Sequence, residues 1–368
     1  MPGGGGVTRS GATMLLLAIE TSCDDTCVAV LRDGAAGVSL LSNLVSSQMI
    51  HAEYQGVVPE LASREHMRTI GPVLREALSR AQVPLDAIEA VGVTNGPGLI
   101  GSLLVGLSLA KALAYARDIP VVGVNHIEAH LASLALEHEM SAVRPPFIGL
   151  VASGGHTEIV LATDWSRWEL LGATRDDAAG EAFDKVAKLL GLGFPGGPIL
   201  ARTAEAGRAD AYAFPRAWLD LARGELDLSF SGLKTAVKLF LDRQGWPMAP
   251  ADSDTRARLV ADVAASFQEA VVDVLAAKLL KAAELTGVHD VVIAGGVAAN
   301  RALRERLARE TGRRGLALHA PAPALCADNA AMVGMAALHH LRRGECSRYD
   351  LAAIPNLDDW DGFYRPLP

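Results

Sequence analysis

Two segments of the chain repeat one pattern, in which an apolar strand is followed by a tight turn of small residues and a second apolar strand. The first segment runs from Leu15 to Leu31 and the second from Phe147 to Leu161. Hydroxyl groups and backbone amides are concentrated at both turns. The second turn also has a glycine-rich tip at Gly154 and Gly155, and such a tip lets N–H groups approach a phosphate closely. The repetition predicts a duplicated α/β fold with two subdomains around a nucleotide cleft.

Strands and helices also alternate after each predicted hairpin, which is typical of α/β proteins. Residues 91–99 are a predicted strand and turn, followed by a small-residue helix from Gly101 to Ala116 and a strand from Ile119 to Val124. Later, Val291 to Ala294 is a predicted buried strand that leads through a Gly-Gly turn into a helix. Asn300 can cap that helix or bind a ligand hydroxyl, and the sequence leaves both roles open.

Length and composition are those of a globular protein with room for two cores. The chain has 368 residues, of which 50% are hydrophobic and 21% are charged. A net charge of −8 argues against general nucleic-acid binding, so contact with RNA would need a local basic surface. Arginines do cluster in residues 301–314 and 342–348, but Glu305 and Glu310 alternate with them and favour a solvated helix face. We expect no membrane span, because charged residues interrupt the long apolar runs.

Cysteine usage and the N-terminus indicate the cellular setting. Cys23, Cys27, Cys326 and Cys346 are too few for a disulfide framework and are interpreted as reduced thiols of a cytoplasmic protein. The glycine-rich residues 1–13 are expected to be disordered, with Met14 as an alternative start. The apolar run that follows is too short for a signal peptide and is interpreted as a strand.

The spacing of His126 and His130 predicts a helical metal site, because residues four apart lie about 40° apart on one helix face. Glu128 lies about 200° from His126, whereas a zinc protease of the H-E-x-x-H type needs its general base beside the first histidine. Asp328 is the best candidate for a third ligand, and two imidazoles with one carboxylate suit Fe(II) or Zn(II). Seven of the other histidines are expected to be ordinary surface or core residues, namely His51, His66, His138, His289, His319, His339 and His340.

A series of motifs in this order closely resembles the tRNA threonylcarbamoyladenosine synthases, the TsaD/Gcp family once described as glycoprotein endopeptidases. The resemblance extends from Leu16 to about Arg343. Departures from the family pattern are the N-terminal extension, Asn125 where a second histidine is common, and Ala152 in the glycine-rich hairpin. The matching motifs are Ile19–Asp25, Gly56–Arg64, Thr94–Leu99, His126–His130, Ser153–Thr157, Asp177–Lys185, Phe230–Thr235, Gly295–Arg301 and Cys326–Asn329.

The resemblance implies an actin/Hsp70/sugar-kinase-like fold, in agreement with the duplication read from the hairpins. We expect an N-terminal extension in residues 1–13, subdomain I in 14–131 and subdomain II in 132–328. A helix in 329–345 would return toward subdomain I, and residues 346–368 would form a C-terminal tail.

The resemblance also implies a reaction, in which a threonylcarbamoyl group passes from threonylcarbamoyl-AMP to N6 of an adenosine in tRNA. That adenosine lies 3′ of the anticodon in tRNAs that read codons beginning with A, and AMP is released. His126, His130 and Asp328 would bind one divalent metal ion, Fe(II) by resemblance with Zn(II) as the alternative. No residue stands out as the general base, and the candidates left open are Asp24, Asp25, Glu181 and His156. The residues expected to hold the adenylate are Val151, Ala152, Ser153, Gly154, Gly155, Asp184, Gly197 and Asn300.

Expected partners, again by resemblance, are tRNA, a non-catalytic TsaB-like paralogue and a TsaE-like P-loop ATPase. The chain itself contains no G-x-x-x-x-G-K-[ST] motif. Three alternatives remain. A phosphotransferase of this fold would have no use for two histidines beside Asp328, a protease is disfavoured by the position of Glu128, and a non-catalytic scaffold of this family would lack the histidine pair.

Overall fold

The computed structural model describes residues 13–54, 56–136, 143–165, 167–219, 226–248 and 252–356, and the backbone of 365–366. Apart from Thr13, the predicted N-terminal extension lies outside the described residues. The chain divides into two compact units. As far as their residues are described, unit 1 comprises Met1–Ser47, Pro59–Ala129 and Asn329–Pro368, and unit 2 comprises Gln48–Val58 and His130–Asp328. The subdomain boundaries expected at 131/132 and 328/329 remain a prediction.

Unit 1 is built on a five-stranded sheet with the order β3-β2-β1-β4-β5. Strands β1, β2 and β3 form an antiparallel meander, whereas β4 is parallel to both β1 and β5. The strands are β1 (Met14–Glu20), β2 (Asp25–Gly34), β3 (Gly37–Ser47), β4 (Ala90–Gly96) and β5 (Val121–Asn125).

Helices cover both faces of this sheet, which explains why residues 15–19 of β1 and 90–93 of β4 are apolar at successive positions. Leu17 and Ile19 of β1 belong to a core that includes residues of α2 (Pro59–Ala81) and α3 (Ile100–Arg117). On β4, a Cβ at Gly92 would lie 2.7 Å from Ala337 Cβ of α11 (Ala330–Arg342). Because side chains alternate along a strand, Gly92 and its neighbours Val91 and Val93 face opposite sides of the sheet, and α11 covers the face away from α2 and α3.

Unit 2 repeats the same topology in its own five-stranded sheet, with the order β10-β9-β6-β7-β8. Its first three strands again form an antiparallel meander, and β9 is parallel to both β6 and β10. The predicted duplicated α/β fold is therefore confirmed, with the two hairpins at equivalent places in their sheets. The strands are β6 (Phe147–Ala152), β7 (Thr157–Asp164), β8 (Arg167–Ala173), β9 (Asp290–Ala294) and β10 (Ala317–His319).

The core of unit 2 is organised by α8, a helix of 34 residues that is buried along much of its length. Asp252 begins this helix by accepting a hydrogen bond from the Thr255 amide, and Gly287 ends it in the left-handed conformation. The helices of the unit are α1 (His51–Tyr54), α5 (Ala179–Leu190), α6 (Gly196–Ala204), α7 (Ser231–Arg243), α8 (Ser253–Thr286), α9 (Arg301–Arg314) and α10 (Pro323–Cys326).

Helix α4 (His126–Ala132) and two short strands lie outside the elements given so far. Helix α4 follows β5 directly and begins in unit 1. After α11, the short strands β11 (Glu345–Cys346) and β12 (Arg365–Pro366) form an antiparallel pair.

Within the described ranges, α3 is the one helix whose length and hydropathy would suffice to cross a membrane. A core helix passes the same test, and α3 packs on β4 with Leu103, Leu107, Ala110 and Ala114 buried.

Candidate functional site

Helix α4 begins where Asn125, the last residue of β5, turns its side chain back onto the helix. Asn125 Oδ1 accepts hydrogen bonds from the amides of Ile127 at 2.8 Å and Glu128 at 3.3 Å. These are among the amides that a helix leaves without partners at its start, so Asn125 acts as the N-cap. His126 is thereby fixed at the first helical position, at the carboxyl end of β5.

His126 is oriented by a buried carboxylate on the neighbouring part of the sheet. Its Nδ1 lies 3.1 Å from Glu20 Oε2 and 3.3 Å from Ser22 Oγ, and the His126 side chain is 3% exposed. Glu20 also accepts hydrogen bonds from the Ser22 amide and the Thr94 hydroxyl. A carboxylate that accepts from Nδ1–H selects the tautomer in which Nε2 carries the lone pair, which is the usual arrangement of a metal-binding histidine.

The other two predicted ligands, His130 and Asp328, lie next to each other. His130 Nε2 is 3.2 Å from Asp328 Oδ1, with His130 fully buried and Asp328 21% exposed. Two ligands bound to one ion at ~2.1 Å are separated by about 3.0 to 3.4 Å, so this spacing suits a shared metal. One ligand atom from each of His126, His130 and Asp328 lies within 4.8 Å of the other two. The donor set therefore fits a divalent ion of the Fe(II) or Zn(II) type.

The position of Asp328 is set by the segment between α10 and α11. On one side of it, Cys326 is buried, and its Sγ lies 3.2 Å from Arg304 Nη2. On the other side, Asn329 caps α11 by accepting a hydrogen bond from the Met332 amide at 3.1 Å. Cys326 is thus a buried packing residue beside the proposed ligand. All four cysteines lie in the described residues and form no disulfide there.

Glu128 is engaged by a histidine far away in the sequence. Its Oε1 lies 2.7 Å from His340 Nε2, and the second ring nitrogen of His340 lies 2.7 Å from Glu345 Oε2. From the sequence, His340 is expected to be an ordinary surface or core residue, and its contact with Glu128 was missed. The available signal was a histidine inside the apolar run of α11, where a buried imidazole needs polar partners.

The first group of predicted adenylate residues lies at the end of β6 and in the turn that leads to β7. Val151 and Ala152 are buried, so their backbone is what they can offer a ligand. The turn is closed by a hydrogen bond from the Ser153 amide to the His156 carbonyl at 2.8 Å. Gly154 and Gly155 at its tip are exposed.

The start of α5 and the loop after β9 both approach this turn so closely that each has a glycine at the point of contact. The Gly180 amide at the start of α5 donates to the Ser153 carbonyl at 3.0 Å, and a Cβ at position 180 would lie 2.5 Å from that oxygen. Gly295 after β9 has φ +86°, and a Cβ there would lie 2.4 Å from the Ala152 carbonyl oxygen. The structure therefore brings the 151–155 strip, the start of α5 and the Gly-Gly turn together.

The remaining adenylate candidates are tied to the same elements by hydrogen bonds within the protein. Asp184 Oδ1 accepts from the amides of Gly196 at 2.8 Å and Gly197 at 3.0 Å, which links α5 to the start of α6. Asn300 Oδ1 accepts from the Leu303 amide at 3.1 Å, and its Nδ2 donates to Gln268 at 2.8 Å. Of the two roles left open for Asn300, the helix cap is the one seen.

Among the open candidates for the general base, Glu181 lies in a group of charged side chains. Lys185 Nζ is 2.8 Å from Glu181 Oε1 and 2.6 Å from Asp177 Oδ1, and Lys234 Nζ is 3.0 Å from the other oxygen of Asp177. Burial alone would lower the pKa of Lys185, but Asp177 and Glu181 outweigh it and raise that pKa. Burial alone would raise the pKa of Asp177, but Lys185 and Lys234 outweigh burial and lower that pKa below its ordinary value. Lys185 and Asp177 are therefore both charged at neutral pH.

The arginines of α9 include two with specific structural partners. Arg304 donates to the carbonyls of Ala298 and Pro321, and Arg306 pairs with Glu269 and Asp273 of α8. These side chains hold α9 in place, which the charge pattern alone did not reveal.

Comparison with known proteins gives a consistent result. The family model for TsaD, tRNA N6-adenosine threonylcarbamoyltransferase, matches residues 39–335. A protein of that name from Geobacter sulfurreducens is 53% identical over 333 residues, which cover 90% of this chain and 93% of the relative. Another from Clostridium perfringens strain SM101 is 48% identical over 344 residues, covering 93% of this chain and 97% of the relative.

Solved structures resemble the chain in fold. Full-length HypF in its phosphate- and nucleotide-bound form matches with a TM-score of 0.56 and 15% identity, covering 89% of this chain and 55% of that one. The activator of 2-hydroxyisocaproyl-CoA dehydratase from Clostridium difficile, with bound ADPNP, matches with a TM-score of 0.51 and 13% identity, covering 90% and 96%. At such identities the likeness supports the duplicated fold alone.

Proposed function

The chain belongs to the TsaD family of tRNA N6-adenosine threonylcarbamoyltransferases, and on that premise we propose its substrates and its site. It transfers the threonylcarbamoyl group of threonylcarbamoyl-AMP to N6 of the adenosine 3′ of the anticodon, in tRNAs that read codons beginning with A. The N6 amine attacks the carbamoyl carbon, the bond from that carbon to the phosphate oxygen breaks, and AMP leaves. One proton passes from N6 to a base, for which Asp24, Asp25, Glu181 and His156 all remain open.

One divalent ion, Fe(II) with Zn(II) as the alternative, would be held by His126, His130 and Asp328. When bound, it would polarise the carbamoyl carbonyl or neutralise the phosphate. Glu20 would keep His126 in the tautomer that presents Nε2, and burial of both histidines would keep water from competing for the site. The observation that carries this proposal is the placement of three such ligand atoms within 4.8 Å of one another.

The adenylate would be held in unit 2 by the backbone of Val151, Ala152, Ser153, Gly154 and Gly155, with Asp184, Gly197 and Asn300 beside it. Amides at the glycine tip and at the start of α9 suit a phosphate. Asp184 would bind a hydroxyl or ammonium group of the substrate while it continues to order the start of α6. The close contacts at Gly180 and Gly295 support this role, because they bring the backbone of three loops together.

The tRNA is an accessible substrate for such a site, because bases of a single-stranded loop are displaced at little cost. The TsaB-like paralogue and the TsaE-like P-loop ATPase remain proposed partners, and the cytoplasm remains the proposed location.

The decisive experiment is reconstitution with defined substrates. Purified protein is mixed with synthetic threonylcarbamoyl-AMP and unmodified tRNA, with and without the two partners, and digested nucleosides are analysed by mass spectrometry. We expect threonylcarbamoyladenosine and AMP in equal amounts. His126→Ala and His130→Ala should abolish the product while the fold survives. His289→Ala, at an exposed histidine that does not belong to the ligand group, should not.

Two results would contradict the proposal. Full activity of a folded, metal-free His126→Ala/His130→Ala variant would remove the metal site from the reaction. No modified nucleoside with both partners present, together with ATP-dependent phosphorylation of a small molecule, would instead favour a phosphotransferase.

A further inference from the structure

Three titratable side chains form a chain of contacts in unit 1, centred on a buried histidine. The carboxylate of Glu128, on α4, lies 2.7 Å from His340 Nε2, and Glu345 lies 2.7 Å from His340 Nδ1. The side chain of His340 is 0% exposed and that of Glu128 is 2% exposed. Both ring nitrogens thus face carboxylates, which favours the doubly protonated imidazolium. Burial opposes this charge, but the two carboxylates outweigh it and raise the pKa of His340 above its ordinary value.

The place of Glu128 on α4 connects this chain with the proposed metal ligands. Helix α4 has seven residues, and Glu128 lies between His126 and His130 in sequence but about 200° from His126 around the axis. A helix of two turns has little stability of its own, so its orientation depends on tertiary contacts. A rotation of α4 that moved the histidine nitrogens would also pull Glu128 away from His340.

The segment that carries Glu345 also holds the strand that leads into α4. Immediately after β11, the Ser347 amide donates to the Val121 carbonyl at 2.8 Å, and Ser347 Oγ accepts from the Gly123 amide at 2.9 Å. Val121 and Gly123 belong to β5, which ends one residue before His126. The segment after α11 therefore supports β5 through Ser347. Through the contact of Glu345 with His340, it also supports the face of α4 that carries Glu128, opposite His126.

We propose that Glu128 and His340 are positioning residues for the metal-binding histidines, because their buried contact fixes the rotation of α4 about its axis. This inference rests on the metal site of the proposed function. It assigns a role to the central glutamate of the His-x-Glu-x-His segment that involves neither ligation nor proton transfer.

The experiment compares His340→Gln with His51→Gln in the full chain. His51 is a matched control because it is also fully buried and hydrogen-bonded, to Gln48 and the Val58 amide, and lies outside α4 and its supports. Co(II) is the probe, because its visible absorption reports both affinity and coordination geometry. We expect His340→Gln to weaken Co(II) binding by roughly 10- to 100-fold, as loss of a group that orients a ligand does. His51→Gln should bind as the wild type does.

A second variant covers the case in which His340→Gln fails to fold because it leaves Glu128 buried without its partner. Glu128→Gln/His340→Gln removes both charges together and keeps the side-chain volumes, and it should show the same weakening of Co(II) binding. Modification activity of this variant should fall at limiting metal and recover at saturating metal, which a purely structural defect would not do.

The outcomes separate this inference from the proposed function. Wild-type Co(II) affinity and spectrum in the folded double variant would overturn the positioning role and leave the metal site standing. Failure of the wild-type chain itself to bind Co(II), Fe(II) or Zn(II) would overturn both.

Discussion

The Nδ1 atom of His126 lies 3.1 Å from Glu20 Oε2, which joins the first residue of α4 to the last residue of β1. The two residues are 106 positions apart in the sequence. A carboxylate in this position makes the imidazole a better ligand and limits its rotation. The hairpin β1–β2, which the sequence suggested as a phosphate-binding turn, thus also supplies an orienting group for the proposed metal centre.

We predict that Glu20→Gln weakens metal binding by roughly 10-fold, because a neutral amide orients His126 less strongly and makes its Nε2 less basic. Titration with Zn(II) against a chelator of known affinity measures the change. Glu89→Gln is the control, because Glu89 accepts a hydrogen bond from the Leu15 amide of the same strand but lies on the surface. Equal Zn(II) affinity of the two variants would mean that Glu20 does not tune the site.

The dependence of stability on pH should reveal the charge of His340. Its pKa in the folded protein is raised above 6.5, because Glu128 and Glu345 outweigh the effect of burial. Its stabilising contribution is therefore fully present below about pH 6.5 and lost as the pH rises through the folded-state value. The free energy of unfolding, measured in urea for wild type and His340→Gln, should differ more at pH 6 than at pH 9. A difference that grows toward alkaline pH would show that His340 is neutral in the folded protein.

The opposite pH dependence is expected for Asp176, which accepts hydrogen bonds from the amides of Phe230 and Ser231 at the start of α7. Burial raises its pKa, but these bonds and those from the hydroxyls of Ser229 and Ser231 lower it below 3.8. Its contribution is therefore present above about pH 3.8 and lost as the pH falls through the folded-state value.

Asp176→Ala should accordingly lower the free energy of unfolding by about 1 kcal/mol at pH 7, as loss of a helix cap does. In acid, the loss should be smaller. Asp242→Ala provides the control, because Asp242 is an exposed acidic residue within α7, and this substitution should change the free energy of unfolding little. Hydrogen exchange at the amides of residues 230 and 231 would localise the effect. Unchanged protection of these amides in Asp176→Ala would contradict the capping role.

Local patterns account for the part of the fold that the sequence predicted. The hairpin after Leu15 and the one after Phe147 follow from apolar runs interrupted by small residues, and the His126–His130 spacing follows from helical geometry. The supports of the site could not be found in this way. His340 reaches Glu128 across 212 positions, and no periodicity relates two such residues before the sheet order is known. Asn300 shows the same limit. A helix cap and a ligand contact both call for an asparagine at this position, so the sequence alone does not distinguish the two roles.

The two adjacent glycines after β9 offer a sharp test of the adenylate pocket. Gly295 has φ +86°, and a Cβ there would lie 2.4 Å from the Ala152 carbonyl oxygen, whereas nothing lies within 4 Å of a Cβ at Gly296. Gly295→Ala should therefore cost on the order of 1 to 3 kcal/mol in backbone strain and displace the 151–155 strip. Gly296→Ala should stay close to wild type in stability.

The pocket itself is tested by binding of AMP, measured by calorimetry on both folded variants. Because the strip and the Gly-Gly turn share the contact at Ala152, Gly295→Ala should lower the affinity for AMP at least several-fold, and Gly296→Ala should change it little. Equal loss in both variants would mean that the turn contacts the ligand directly at Gly296. Unchanged affinity in Gly295→Ala would show that the close approach to Ala152 serves packing alone, and the strip would no longer be a candidate for the adenylate.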